Sequence, residues 1–168
     1  MSLIEFKILK SNDFDSFELI ADWYLNEWNF PIDKTIERLK KITEDRLQFQ
    51  VVMTIDDLPI STGGIYNHVG LLDKEPKFKI YKNWLALVYT VPEQRHNGYG
   101  KLICEHIQNH SISIGLNHLH LFTDTAERLY TRLGWTKLER LQVDSRNIVV
   151  MDKRFDHKKT TANTVYSK

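Results

Sequence analysis

The sequence predicts an α/β (α+β) fold, in which a mixed, mostly antiparallel central sheet of about seven strands is flanked by about four helices. Three observations carry that expectation. Apolar residues alternate at period two in several short segments, recur at spacings of three and four in others, and run almost unbroken from Trp84 to Val91. The unbroken run is the pattern of a strand buried on both faces in the middle of a sheet.

The elements follow in order. Ile4 to Leu9 alternates and reads as an opening strand. From Asp13 to Trp28, Phe14, Phe17, Ile20, Ala21, Tyr24, Leu25 and Trp28 form a helical stripe after cap candidates at Ser11 to Asp13. Pro31 separates this helix from a second at about Lys34 to Glu44. Phe49 to Ile55 and Ile60 to Tyr66 read as an antiparallel hairpin turned at Asp56-Asp57. Asn67 to Asn83 has no clear period and reads as a long loop.

After the Trp84 strand, a glycine-containing turn leads into a helix with Leu102, Ile103, Ile107 and Ile114 on one face, ended by Gly115. His118 to Thr123 reads as a strand. Asp124 with Glu127 resembles a capping box for a helix carrying Ala126, Leu129, Tyr130 and Leu133, stopped by Gly134. Thr136 to Val143 and Asn147 to Phe155 form a closing hairpin around Asp144-Ser145. One domain over residues 1–155 is expected, with a polar, loose tail over 156–168.

Composition narrows the function classes. With 168 residues, 42% hydrophobic and 27% charged, the chain has ordinary globular composition. Lys plus Arg (23) nearly balances Asp plus Glu (22), which argues against nucleic acid as a partner. The single cysteine, Cys104, excludes an intrachain disulfide framework and any multi-cysteine zinc site, in keeping with a reducing, cytoplasmic setting. Glu5 and Lys7 interrupt the first apolar stretch, so no signal peptide is expected, and no run is long enough for a membrane span. His118 and His120 would share one face of a strand, but no third ligand is in sight and no metal site is expected.

The informative segment is Val91-Pro92-Glu93-Gln94-Arg95-His96-Asn97-Gly98-Tyr99-Gly100-Lys101. A buried strand running through such a turn into a helix aims several backbone N–H groups, and the positive helix end, at one point. That point suits a pyrophosphate. Gly98 and Gly100 would let the backbone approach phosphate oxygens, and Arg95 would add a charge-assisted donor. Gly100-Lys101-Leu102 lacks the hydroxyl of a P-loop, and His96 stands where a dinucleotide fingerprint needs glycine.

This turn, Arg95-His96-Asn97-Gly98-Tyr99-Gly100, resembles the acetyl-CoA-binding pattern Gln/Arg-x-x-Gly-x-Gly/Ala of the GCN5-related N-acetyltransferase (GNAT) superfamily. Trp84 to Glu93 resembles that family's central strand. Ala126, Leu129-Tyr130 and Leu133-Gly134-Trp135 resemble its second signature, and the order of elements agrees over nearly the whole chain. Two positions depart from the pattern: His96 stands where glycine is frequent, and Thr123 where many relatives carry asparagine against the cofactor.

The resemblance implies a GNAT-like acyltransferase fold, with acetyl-CoA as acyl donor entering a V between the Trp84 and His118 strands. It implies direct attack of an amine on the thioester, with backbone donors at Tyr89 and Val91 facing the developing oxyanion. It further implies that His96, Asn97, Gly98, Tyr99, Gly100 and Lys101 cradle the pyrophosphate beside Arg95, Thr123 and Ala126. Tyr130 would return a proton to the departing thiolate, although its place in an apolar stripe also fits simple packing.

The acceptor is less legible. A primary amine of a small molecule is expected, met by acidic residues from among Asp22, Glu27, Asp73 and Glu75, of which Glu27 and Asp73 are the foremost. His68 joins Glu27, Asp73 and Glu75 as a candidate base. A peptide or protein amine (N-terminal or lysine) and a non-catalytic acyl-CoA-binding regulatory domain are the alternatives. Trp23, Tyr24, Trp28 and Trp84 are candidates for an aromatic wall, although Tyr24 and Trp28 fit the core stripe. Cys104 is expected as a small buried side chain. The free edges of such a sheet leave pairing into a homodimer open.

Overall fold

Residues 1–155 are described by the computed structural model, and the expected tail at 156–168 lies outside the described residues. The order is β1 (Ile4–Ile8), α1 (Phe14–Trp28), α2 (Ile32–Thr43), β2 (Phe49–Ile55), β3 (Leu58–Tyr66), α3 (Leu71–Lys74), β4 (Trp84–Thr90), α4 (Tyr99–Ser113), β5 (His118–Thr123), α5 (Glu127–Arg132), β6 (Thr136–Val143) and β7 (Arg146–Arg154). The seven strands make one sheet in the order β1-β2-β3-β4-β5-β7-β6. Every neighbouring pair is antiparallel except β4 and β5.

Period-two alternation sends neighbouring side chains to opposite faces, and each face has its own core. Val52, Trp84 and Val150 pack with Phe17, Ile20 and Tyr24 of α1 and with Leu39 and Ile42 of α2. Val51, Leu85 and Val149 pack on the other face with Ile103, Cys104 and Ile107 of α4 and with Tyr130 of α5. Both two-residue turns are left-handed at each position, Asp56 and Asp57 at φ 49° and 67° and Asp144 and Ser145 at 47° and 67°. This is the primed hairpin geometry that matches strand twist.

The structure departs from the sequence reading at several points. The Asn67–Asn83 segment is not structureless, because it holds α3 and a 3₁₀ turn at Pro76–Ile80 that bury Leu71, Leu72 and Phe78. The described residues therefore hold five helices, against about four expected. α2 begins at Ile32, since Pro31 with its fixed φ can precede a first helical turn. The capping box before α5 does not form. Asp124 instead accepts a hydrogen bond from Arg146 at 2.9 Å, Glu127 pairs with Arg140, and the Thr123 hydroxyl oxygen accepts the Ala126 N–H at 3.0 Å. Among the described residues no helix is long and apolar enough to cross a membrane.

Two features of β4 position the site. Its register with β5 is a single pair, Trp84 with His120, after which the strands part. Against β3, the register shifts between Thr62↔Tyr89 and Gly64↔Ala86, so that Leu87 and Val88 together oppose Gly63. This is a β-bulge, and Leu87 takes the left-handed conformation at φ 58°.

A buried polar network fixes this bulge from the side. The Tyr24 hydroxyl donates to the Leu87 carbonyl at 2.6 Å and accepts from Gln50 Nε2 at 3.0 Å. Gln50 Nε2 also donates to the Thr62 hydroxyl at 2.7 Å, Thr62 donates to the Val51 carbonyl, and the Tyr66 hydroxyl donates to Gln50 Oε1. Burial pushes the Tyr24 and Tyr66 hydroxyls well above the usual phenol range, so both remain donors. Gln50→Met should cost about 1–3 kcal/mol in denaturant unfolding, because it strands the buried Tyr66 hydroxyl. Adding Tyr66→Phe should recover part of that loss.

Candidate functional site

Where β4 and β5 part, a cleft of about 1430 Å³ opens, walled by β4 from Leu85 to Thr90 and by the chain from Phe122 to Tyr130. Its far side is formed by Tyr24, Glu27 and Trp28 of α1, Phe30 between the helices, Arg38 of α2 and His68 to Leu71. The turn into α4 closes one end with Arg95, His96, Gly98, Tyr99 and Gly100.

This turn has the features of an anion cradle. Gly98 holds φ 83°, and a Cβ built at Gly98 or at Gly100 would meet nothing within 4 Å. The first intrahelical bond runs from Leu102 N to Gly98 O at 3.3 Å, so the N–H groups of Tyr99, Gly100 and Lys101 have no helical acceptor. No side chain caps the helix and no acidic residue occupies its first turn. His96 adopts φ 65°, a conformation in which the absence of a Cβ is worth about 1–2 kcal/mol, which is a physical reason for glycine to be frequent there.

The expected site residues divide. Tyr89, Arg95, His96, Gly98, Tyr99, Gly100, Thr123, Ala126, Tyr130, Glu27 and Asp73 line the cleft; Val91, Asn97 and Lys101 do not. The Val91 N–H donates to the Ile60 carbonyl at 2.9 Å, so the sheet engages it. Asn97 reaches back to the Gln94 carbonyl, and Lys101 lies 3.9 Å from Glu105 one helical turn on. Arg95 points along β4 rather than across the helix end. Its Nε donates to the Thr90 carbonyl at 2.8 Å, a second nitrogen meets Glu27 at 3.0 Å, and the guanidinium lies 5.4 Å from the centre of the Tyr89 ring. Thr123 spends its hydroxyl oxygen on the start of α5, as described above.

Tyr130 belongs to the cleft wall and to the core at once. Its ring packs edge-on against Trp135 at 6.0 Å, and its hydroxyl lies 4.0 Å from the Cys104 sulfur. Burial, reinforced by the neighbouring Cys104, raises the Tyr130 pKa well above the usual phenol value, so the hydroxyl holds its proton. Burial likewise pushes the Cys104 thiol up to about 12. Cys104 is fully buried. A thiol-specific reagent should therefore label the folded chain no faster than it unfolds, and should label it stoichiometrically in denaturant.

Of the acceptor-side candidates, Glu27, His68 and Asp73 reach the cleft; Asp22 and Glu75 do not. Five carboxylates line it. Glu27, Asp124, Glu127 and Asp144 pair with Arg95, Arg146, Arg140 and Lys74, whereas among the described residues Asp73 meets only the His68 imidazole, at 3.1 Å. The aromatic wall differs from expectation. Trp84 is fully buried, Tyr24 nearly so, and Trp28 stands partly exposed at the cleft with Phe30 and Tyr89 beside it. Sequence reading missed Arg38, which lies 4.4 Å from the Tyr66 ring centre and donates to the His68 carbonyl. Its helical period marks only an exposed face, and no local signal places it in a cleft.

Solved structures share this architecture. An acetyltransferase of the GNAT family from Streptococcus pneumoniae superposes with a TM-score of 0.69 over 92% of this chain and 100% of its own, at 14% identity. The chain has the GNAT fold. The same architecture is found in the aminoglycoside 6'-N-acetyltransferase of Enterococcus faecium (TM-score 0.69, 14% identity, 89% of this chain and 96% of that one). It is also found in the yncA protein of Salmonella typhimurium, solved with its cofactor acetyl-CoA (TM-score 0.69, 11% identity, 92% and 95%). No protein-family model and no curated protein matches the sequence.

A carboxylate placed at the open helix end tests the cradle without straining the backbone, because Gly100 has an ordinary φ and free space around it. Gly100→Glu should leave the melting temperature unchanged or raise it slightly, since Gly is a poor helix former. In calorimetric titration it should weaken acetyl-CoA binding by about a hundredfold.

Proposed function

We propose that residues 1–155 act as one domain that moves an acetyl group from acetyl-CoA to the primary amine of a small molecule, by direct attack within a ternary complex. The observation that carries this reading is the meeting, in one cleft, of the uncapped α4 N-terminus with Tyr130 and the bulged β4. The donor set fits a CoA pyrophosphate: three N–H groups without helical acceptors, the positive helix end, and two glycines with open space around them. The solved relatives of this fold that hold acetyl-CoA or coenzyme A support the choice of donor.

Acetyl-CoA supplies the activated acyl group. The protein holds it in line with the amine and lowers the charge cost of the transition state. In this assignment the α4 N-terminus takes the pyrophosphate and the backbone of β4 near Tyr89 faces the developing oxyanion. Tyr130, kept protonated by burial, gives its proton to the departing thiolate. Tyr130→Phe should lower kcat for CoA release by about a hundredfold with the KM for acetyl-CoA little changed. An unchanged kcat would assign the ring to packing alone.

A small cationic amine is supported by the aminoglycoside acetyltransferases among the structural relatives and by Asp73, the cleft carboxylate that has no Lys or Arg partner among the described residues. Asp73 then contacts the substrate ammonium. Asp73→Asn should raise the KM for the amine about tenfold and leave that for acetyl-CoA within a factor of two, measured by steady-state kinetics over a panel of amines.

A further inference from the structure

The two histidines that the sequence left without a third ligand acquire one in the fold. β5 and β7 pair antiparallel with His120 directly opposite Asp152, and His118 lies two residues away on the same face. One ligating atom from each of His118, His120 and Asp152 lies within 4.8 Å of the other two. His118 Nε2 and Asp152 Oδ2 are 2.8 Å apart, and the two imidazole rings are centred 4.3 Å from one another.

The deciding feature is His120. Its side chain is buried, stacked on Tyr81 at 4.6 Å between centroids, and its Nδ1 lies 2.6 Å from the Lys82 carbonyl. A carbonyl accepts only, so Nδ1 carries the hydrogen and Nε2 presents a lone pair. That Nε2 is buried and has no hydrogen-bond partner among the described residues. A buried polar atom without a partner costs free energy. An imidazole whose Nδ1–H is anchored on a backbone carbonyl and whose Nε2 is free has the arrangement found in metal-ligating histidines.

We infer that His118, His120 and Asp152 form a binding site for a divalent transition metal of the zinc class, which clips β5 to β7 at the end of the sheet remote from the cleft. Two imidazoles and a carboxylate suit zinc, with the fourth position taken by water. Ligands about 2 Å from zinc stand about 3.3 Å from each other, so closing the triad requires a shift of roughly 1.5 Å between the widest pair. His118 and Asp152 can supply it, because their side chains remain 25% and 15% exposed while His120 is fixed. The metal replaces the proton between His118 and Asp152 and gives the His120 lone pair its partner.

The site is separate from acyl transfer. None of the three residues lines the cleft, and His118 begins β5 whereas Thr123 ends it, about 16 Å away along a strand. The ion holds together the one place where β4 and β5 still pair, since His120 is also the partner of Trp84 and its N–H donates to the Asn83 carbonyl at 3.0 Å. Its role is structural.

The test uses the full chain without an affinity tag, stripped with a chelator and titrated with Co²⁺ and then Zn²⁺. Expected is one equivalent of Co²⁺ with the visible absorption of a tetrahedral N/O site, displaced by Zn²⁺, and a melting temperature that rises with Zn²⁺. His118→Gln and Asp152→Asn, both at half-buried positions, should keep the circular dichroism of the parent. Each should weaken binding by about a hundredfold or more. Absence of saturable binding to the folded parent would overturn the site. So would binding that both substitutions leave unchanged, since other histidines would then hold the metal. Gly100→Glu should retain the metal in full, which separates this site from the acyl-CoA reading.

Discussion

The hydrogen bond from the Tyr24 hydroxyl to the Leu87 carbonyl is the constraint on which the shape of the molecule turns. A left-handed leucine in the middle of a strand is unfavourable by about 1–2 kcal/mol and persists only where its surroundings compensate. Here the displaced carbonyl, which the bulge turns out of the ladder, finds a buried phenol on α1. Gln50, Thr62 and Tyr66 hold that phenol in turn, so α1, β2, β3 and β4 are tied through one polar cluster inside an apolar core. Such a cluster works as a unit because each member satisfies another.

The bulge and the splay of β4 from β5 belong together. A parallel pair that continued past Trp84 and His120 would fill the space between the strands and leave no cleft. Parting them exposes the backbone edge of β4 at the position where the bulge rotates it, while α4 enters from the end of the same strand. Side chains take the carbonyls there, Tyr24 at Leu87, Ser61 at Tyr89 and Arg95 at Thr90. The remaining pairs, β1 to β4 on one side and β5 with β7 and β6 on the other, are antiparallel ladders that carry the two cores.

The charges around the cleft show how tertiary contacts reassign residues. Arg95 and Glu27 are 68 positions apart and meet at the cleft wall, so the arginine expected at a phosphate and the glutamate expected at an amine pair with each other. Asp73, on the short helix α3, meets the His68 imidazole and has no Lys or Arg partner among the described residues. The His118, His120 and Asp152 triad arises similarly: its third member is 32 residues beyond the second and arrives only through the register of β5 with β7.

By itself the sequence determined the seven strands, the two hairpin turns, the position of Trp84–Thr90 at mid-sheet and the glycine turn into α4. All of these are local signals: period, turn chemistry and unbroken hydrophobicity act over a few residues. It also placed Tyr130 on a helix facing the core, and the structure puts that ring on the cleft wall as well. The helix α3 within Asn67–Asn83 escaped because it is a single turn fixed by burying Leu71 and Leu72 rather than by its own pattern. The Leu87 bulge, the parting of β4 and β5, the turning of Arg95 toward Glu27 and the arrival of Asp152 beside two histidines were decided by tertiary structure alone. Each depends on register or packing between segments distant in sequence, and no local propensity records where two such segments will meet.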